Sequence, residues 1–102
     1  MKVLVYLPGL EAEERQIPAS SEALQDIVGE LNEIINTGIP GIILIIKADG
    51  WIQGLPPCRR ILFRTHSEIL YGPVVACRVD DEMFLSIRPG DAIVLKLLLS
   101  NP

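Results

Sequence analysis

The run Gly41–Lys47 constrains the fold of this chain more than any other segment. It reads Gly-Ile-Ile-Leu-Ile-Ile-Lys, which has the length and the β-branched content of a strand that is buried on both faces. Asp49-Gly50 follows and is a strong two-residue hairpin signal, so we expect the chain to return as a strand at Trp51-Ile52. The segment therefore predicts a hairpin whose first strand lies inside the core.

The first residues of the chain predict a second pair of strands. Met1–Leu7 is rich in strand-forming side chains and ends before Pro8-Gly9, a turn signal. Arg15–Ile17 is long enough to return beside it as a short strand. The N-terminal strand is therefore expected to lie at or near the sheet.

A second hairpin is expected in the last third of the chain. Tyr71-Gly72-Pro73 breaks the chain before Val74–Val79, an apolar run with the composition of a buried strand. Asp80-Asp81-Glu82 then provides a polar turn that leads into Met83–Ile87. These acids are too few, and lack the glycine of a calcium loop, so the turn predicts no metal site.

Residues 21–29 predict an amphipathic helix. Either Ser20 or Ser21 is expected to cap its N-terminus, and Gly29 is a plausible C-terminal stop. One apolar stripe follows the i, i+3, i+4, i+7 spacing: Leu24, Ile27, Val28 and Leu31. Two alternatives remain at this point: the helix runs on to Ile35, or it ends at Gly29 and Leu31–Ile35 forms a strand.

The C-terminal run Ala92–Leu99 is apolar enough for a buried strand and also fits a helix. Pro89 would then be the first helical residue, a position where its missing N–H does no harm. The helix is the narrowly preferred interpretation. In either form the aliphatic surface must be covered, and self-association is the natural cover if the rest of the chain cannot provide one.

Together these elements predict a single α+β domain over residues 1–102. Its sheet is expected to be mainly antiparallel, built from two hairpins and an N-terminal strand, with one helix over about 21–29 and a second towards the C-terminus. Hydrophobic residues make up 49% of the chain, enough for a substantial core. No apolar run approaches the ~20 residues that span a bilayer, and no signal peptide is evident, so we expect a cytoplasmic protein without membrane attachment.

The charge balance argues against nucleic acid as a partner. Thirteen acidic side chains outweigh nine basic ones, which gives a net charge of −4 at neutral pH. The acids concentrate in the first third of the chain, where they are expected to form a solvated face. A protein that binds nucleic acid usually carries a basic footprint, and this chain lacks one.

The segment Gly54–Arg60 joins a proline-locked turn to a pair of arginines. Arg59, Arg60 and Arg64 could together grip a phosphate or a partner's carboxylates, because guanidinium groups suit both. Arg60 and Arg64, four residues apart, would share a side if the segment were helical. The alternative, which we favour, is that Arg59 pairs with an acid inside the protein and locks the turn. Two aromatic side chains could add a stacking or anchoring face to the arginines: Trp51 and Tyr71.

Candidate catalytic residues are few. Cys58 lies beside arginines that could lower its pKa, whereas Cys77 is most simply a small buried hydrophobic residue. His66, the only histidine, is expected to be a partly exposed loop residue, and a general-base role would need a partner. A zinc site from these three residues would lack a fourth ligand, so no metal or cofactor is predicted. The sequence does not predict an enzyme.

Four segments, in this order along the chain, carry a resemblance to a known family. They are Met1–Val5 with Pro8-Gly9, Ser21–Gly29, Gly54–Arg59, and Ile69–Val75 leading to Phe84–Ile87. Over nearly its whole length the chain resembles a family of short, uncharacterised proteins that phages and integrative mobile elements of bacteria often encode.

The resemblance implies that Gly29 ends the first helix, that Leu31–Ile35 is a strand, and that a helix follows Pro89. The family pattern has an asparagine before the arginine of the proline turn, and Cys58 stands there in this chain. The family has no assigned chemistry, so the resemblance implies a biological context and no mechanism.

The sequence as a whole predicts a small, non-enzymatic interaction module that binds another protein, an accessory of a mobile element. One alternative is a nucleotide or nucleic-acid ligand held at the Pro56–Arg64 turn. A second alternative is an enzyme that uses Cys58 or His66. These three interpretations assign different roles to Arg59, Arg60 and Cys58. The positions of these residues in the fold therefore help to choose between them.

Overall fold

The computed structural model describes residues 1–102, which form two β-sheets and two α-helices. In chain order the elements are β1 (Lys2–Tyr6), β2 (Glu13–Gln16), α1 (Ser21–Val28), β3 (Asn32–Asn36), β4 (Ile42–Lys47), β5 (Pro57–Leu62), β6 (Ser67–Tyr71), β7 (Val74–Asp80), β8 (Met83–Leu85), α2 (Asp91–Leu98) and β9 (Leu99–Ser100). The predicted α+β class is confirmed, and every strand pair is antiparallel. Neither helix is long and apolar enough to cross a membrane.

The large sheet is built around β7, with the strand order β2-β1-β7-β4-β3. Val75 of β7 lies between Val5 of β1 and Ile45 of β4, so three β-branched side chains meet at the centre of the sheet. The N-terminal strand and its short partner are confirmed, with β2 placed slightly earlier than expected. The hairpin of β7 and β8 is confirmed too, and its turn residues Asp81 and Glu82 both have positive φ.

Strand β4 is buried on both faces, as its composition predicts. Ile43 and Ile45 pack towards α1, whereas Ile42, Leu44 and Ile46 pack towards the small sheet and α2. The molecule therefore has three layers: α1, the large sheet, and a third layer formed by the small sheet β6-β5-β9 with α2.

The hairpin expected after β4 is wrong. Both edges of β4 are already occupied, by β3 and β7, so no edge is open to a returning strand. Trp51-Ile52 instead lies in consecutive turns, which are closed by hydrogen bonds from the Gln53 amide to the Asp49 carbonyl and from the Leu55 amide to the Gly50 carbonyl. Asp49-Gly50 does start a turn, with Asp49 at φ 60°, but the turn leads away from the large sheet.

Helix α1 begins and ends where the serine and glycine signals place it. The Ser20 hydroxyl accepts a hydrogen bond from the Ala23 amide at 3.2 Å. Gly29 ends the helix at φ 116°, in a region that disfavours side chains, and its amide donates to the Gln25 carbonyl. The chain then turns directly into β3, which resolves the open alternative in favour of a strand near residues 31–35.

The C-terminal run forms helix α2, so the preferred interpretation is confirmed, although Pro89 is not its first residue. Gly90 has a left-handed backbone at φ 92°, and the helix starts at Asp91. The Asp91 carboxylate accepts a hydrogen bond from the Arg88 amide at 2.7 Å, which fixes the entry into the helix. Immediately after the helix, the unpredicted strand β9 pairs with β5 and completes the small sheet.

Candidate functional site

The three arginines of the proline-rich segment do not converge on one point. Residues 57–62 form strand β5, so Arg60 and Arg64 do not share a helical face. Arg59 is buried, Arg60 is half-buried, and Arg64 is exposed in the turn between β5 and β6. A clamp of three arginines is therefore absent from this fold.

A β-bulge at the start of β5 determines where Arg59 lies. The pairing with β6 shifts between Pro57 and Arg59, which leaves Cys58 as the extra residue. As a result Cys58 and Arg59 are both buried, although they are adjacent in a strand. The bulge thus brings a thiol and a guanidinium group together against the carbonyl groups of β1 and the loop that follows it.

The Arg59 guanidinium group bonds to main-chain carbonyls and to no carboxylate. Nη1 donates to the carbonyls of Cys58 at 2.8 Å and Leu7 at 3.4 Å, and Nη2 donates to that of Leu10. The guanidinium carbon lies 5.5 Å from the centre of the Tyr6 ring, a cation–π contact. The expected internal pairing of Arg59 with an acid is wrong, but Arg59 does tie the proline turn to the β1–β2 loop.

Arg59 lies in the wall of a cleft of about 930 Å³ between the β1–β2 loop, the start of β5 and helix α2. Lys96 of α2 is the second cation of the cleft, and Glu11 is its one acidic side chain. The rest of the wall is mixed: apolar side chains such as Leu4, Tyr6, Leu10 and Leu99 alternate with polar groups, and the C-terminal residues 100–102 close one side. We call this the Arg59 cleft.

The ionisable groups beside Arg59 are shifted by burial more than by its charge. Burial raises the pKa of Tyr6 to about 12, and the charge of Arg59 acts in the opposite direction. Burial also raises the pKa of the Cys58 thiol, again against the effect of Arg59. The neighbouring arginines could have lowered the pKa of Cys58, but desolvation outweighs the charge of Arg59 and the pKa is raised. Cys77 is buried, as expected, in the core between α1 and the large sheet. Burial raises its pKa to about 11.

The two aromatic candidates and Arg60 line a second groove, of about 530 Å³, at the junction of the two sheets. Trp51 is 66% exposed there, and Tyr71 is the second aromatic residue of the groove. Arg60 donates to the Ser67 hydroxyl at 3.2 Å. The other charged residues of this groove are Lys47, Glu33, Asp49 and Glu68. Of the three arginines, Arg60 is the one that lines this groove with Trp51 and Tyr71.

His66 lies in the exposed turn between β5 and β6, as expected. Its Nε2 atom is 3.4 Å from Oε1 of Glu68, and its ring lies 4.9 Å from the ring of Phe63. A carboxylate beside an imidazole can orient a general base. However, Cys58, the candidate nucleophile, belongs to the buried wall of the Arg59 cleft and donates its thiol hydrogen to the Tyr6 carbonyl. The two candidate catalytic residues therefore have different environments and different neighbours.

Helix α2 presents an apolar outer face, the aliphatic surface that the C-terminal run was expected to need covered, although none of its residues was a candidate site residue. Ile93 and Leu97 are 70% and 81% exposed, and Val94 is 40% exposed. Leu95 alone of the helix is completely buried among the aliphatic residues of the core. The i, i+4 spacing of Ile93 and Leu97 identifies this face once the run is taken as a helix.

Arg78 and Asp91 form a second arrangement that the sequence did not indicate. Arg78 Nε and Nη2 donate to the two Asp91 carboxylate oxygens, both at 2.8 Å. Hydrogen bonding to Arg78 holds the pKa of Asp91 below its usual value and raises that of Arg78. The pair joins β7 to the first residue of α2, and no local spacing rule connects two such positions.

The fold is thus a three-layer α+β domain with a buried arginine in one cleft and an apolar helix face beside it. Residues 1–97 match the family model described as domain of unknown function DUF3846. The chain belongs to this family, which agrees with the resemblance to uncharacterised proteins found in its sequence. No curated protein and no solved structure gives a significant match to it.

Proposed function

We propose that this protein is a small, non-enzymatic, cytoplasmic interaction module that binds another protein through the outer face of α2. The observation that carries this proposal is the exposure of Ile93 and Leu97 on adjacent turns of one helix. Together with Val94 they form a continuous aliphatic face that we call the α2 face. Contiguous apolar surface of this kind is typical of protein interfaces, whereas single exposed leucines are ordinary.

The α2 face is held in place before any partner binds. An eight-residue helix is too short to be stable by itself, so its position depends on tertiary contacts. Leu95 anchors it in the core, and the bidentate pair of Asp91 with Arg78 fixes its first turn. A preordered surface loses little conformational entropy on association, which favours binding.

The charges around the α2 face define the chemistry of the partner. Asp91 is neutralised by Arg78, so Lys96 is the free charge of the helix. The complementary surface is an apolar groove with an acidic residue at its rim, and the charged pair would fix orientation more than affinity. Because the family resemblance is to proteins that mobile elements often encode, we propose that the partner is a protein of the host cell or of such an element.

Leu97→Lys tests this proposal, with Ile52→Lys as its matched control. Both substitutions place a lysine at an exposed aliphatic position, and a cation near the C-terminus of α2 suits the helix dipole. Each tagged variant is used for capture from host extract, with and without nuclease, and the captured protein is then purified and titrated calorimetrically. We expect wild type and Ile52→Lys to bind it equally and Leu97→Lys to lose at least about tenfold in affinity. Equal binding by all three proteins would contradict the proposal.

A second copy of this chain is the other candidate occupant of the α2 face. Sedimentation velocity of the purified protein over a range of concentrations distinguishes the two cases. A concentration-dependent dimer that Leu97→Lys abolishes would replace the proposed partner with self-association. A monomer at all concentrations, with the capture result above, would support a different protein as the partner.

A further inference from the structure

We infer that the Arg59 cleft binds a small organic anion that has one carboxylate or phosphate group and an apolar body. This site adjoins the α2 face and shares Lys96 with it, but the inference does not depend on the proposed protein partner. Three features of the cleft carry it: a buried positive charge without a counter-charge, an unbonded edge of the guanidinium group, and a cluster of apolar side chains in the wall beside it.

The first feature is the uncompensated charge of Arg59. The residue is 9% exposed, yet none of the four ion pairs in the structure includes it. The carbonyls of Leu7, Leu10 and Cys58 satisfy hydrogen bonds but contribute no net negative charge. A buried ion is costly unless an opposite charge accompanies it. An anion bound in the cleft would supply that charge.

The second feature is the part of the guanidinium group that the protein leaves unbonded. The three carbonyls engage Nη1 and one hydrogen of Nη2, while Nε has no acceptor within the protein. No fully enclosed side-chain nitrogen or oxygen lacks a hydrogen-bond partner, so Nε is not completely enclosed by the protein. The edge formed by Nε and Nη2 is the one that receives carboxylate or phosphate oxygens in a bidentate manner.

The third feature is the composition of the remaining walls. Leu4, Leu10 and Leu99 provide apolar contact for the body of a ligand, and Lys96 adds a second cation. The exposed side chain of Glu11 would repel a second anionic group on the ligand, so the cleft favours a ligand with a single anionic group. Its volume of about 930 Å³ lies within the range of small-molecule sites.

Phenyl phosphate and benzoate are suitable probes, and benzamide is the neutral control of similar shape. The measurement is NMR titration of wild-type protein, with the side-chain Nε–Hε resonance of Arg59 as the readout. Fragments of this size at a matching site bind with a Kd on the order of 1 mM. We expect both anions to move the Arg59 resonance saturably and benzamide to leave it unchanged. The tighter of the two anions identifies the natural headgroup.

Arg59→Lys and Arg60→Lys form the matched pair of variants. Lysine keeps the charge but lacks the bidentate edge, so Arg59→Lys should weaken binding about tenfold, and Arg60→Lys should not change it. Lys96→Met, at an exposed position, should weaken binding by about two- to threefold. This effect should shrink at high salt, because salt screens the charge of Lys96. These variants are followed by the backbone amides of residues 9–12 and 57–59.

The titration of wild-type protein decides the matter even if Arg59→Lys fails to fold. If neither anion moves the Arg59 resonance at concentrations well above 1 mM, on the order of 20 mM, the inference is wrong. It is also wrong if benzamide binds as well as benzoate, or if the anions shift Arg60 and Arg64 while Arg59 stays unchanged. Loss of the α2 partner in Leu97→Lys bears on neither result.

Discussion

Buried Arg59 and half-buried Arg78 have opposite environments. Arg78 donates to both carboxylate oxygens of Asp91 at 2.8 Å, so its charge is neutralised by a bidentate ion pair. Arg59 is buried against three carbonyls and an aromatic ring, and it meets no carboxylate. The comparison separates two uses of a guanidinium group inside a fold. Arg78 joins two elements through a carboxylate, whereas Arg59 keeps a charge that has no counter-charge and faces a cleft.

The largest effect is expected from breaking the Arg78 pair. Asp91→Ala leaves Arg78 without its counter-charge and removes the acceptor of the Arg88 amide. We expect the free energy of unfolding to fall by about 2 to 3 kcal/mol in urea denaturation. The double variant Arg78→Met with Asp91→Leu should recover a large part of this loss, because it removes both charges together. A double variant as unstable as Asp91→Ala would show that the lost pairing is not the cause.

A smaller loss is expected at the other arginine. Arg59→Met removes three hydrogen bonds to carbonyls and also removes a buried charge that has no partner. Because the two effects oppose each other, we expect the free energy of unfolding to fall by about 1 to 2 kcal/mol. Urea denaturation in parallel with Asp91→Ala measures the difference. If Arg59→Met loses more free energy of unfolding than Asp91→Ala does, the role of Arg59 is chiefly structural.

The Arg78 pair should also give stability a dependence on acid pH. The pKa of Asp91 is lower in the folded state, chiefly through its hydrogen bonds with Arg78, than the unfolded value of about 3.9. The pair's contribution is therefore fully present above about pH 4 and is lost as pH falls through the folded-state pKa. Denaturation from pH 6 down to about pH 2 should show this fall in wild type and a shallower one in Asp91→Asn. If stability falls equally steeply with pH in wild type and in Asp91→Asn, the Arg78–Asp91 pair is not its cause.

The smallest effect is expected at Arg60, which is half-buried and bonds to Ser67 alone. Arg60→Gln should change the free energy of unfolding by no more than about 0.5 kcal/mol, as is usual for surface substitutions. Thermal or urea denaturation provides the value. A loss comparable with that of Arg59→Met would mean that burial does not distinguish the neighbouring arginines.

Local signals in the sequence predicted most of the elements correctly. The Ser20 cap and the Gly29 stop define α1 because both act through adjacent backbone groups. The aliphatic run before Lys47 predicts a strand buried on both faces because its composition leaves no polar face. The error at Trp51-Ile52 has the opposite origin. Asp49-Gly50 specifies a turn, but the occupancy of both β4 edges depends on β3 and β7, which no local pattern reveals.

The candidate sites were harder to predict for the same reason. The sequence grouped Arg59, Arg60 and Arg64 because they are close along the chain, and a strand with a bulge separates them in space. Two contacts that now define the sites join distant segments: Arg59 with Leu10, and Arg78 with Asp91. Trp51 and Tyr71 share a groove with Arg60 alone of the three arginines, a selection that spacing along the chain does not reveal.

The pairing of β1 with β7 also governs when this fold can assemble during synthesis. Val5 finds its neighbour Val75 only after more than half of the chain has been made, and β5 finds β9 later still. Until then β1 and β4, both strongly apolar, lack the strand that lies between them in the finished sheet. Contacts of such long sequence separation slow folding and leave strand edges open for longer. The nascent protein is therefore most prone to aggregation in the interval before β7 leaves the ribosome.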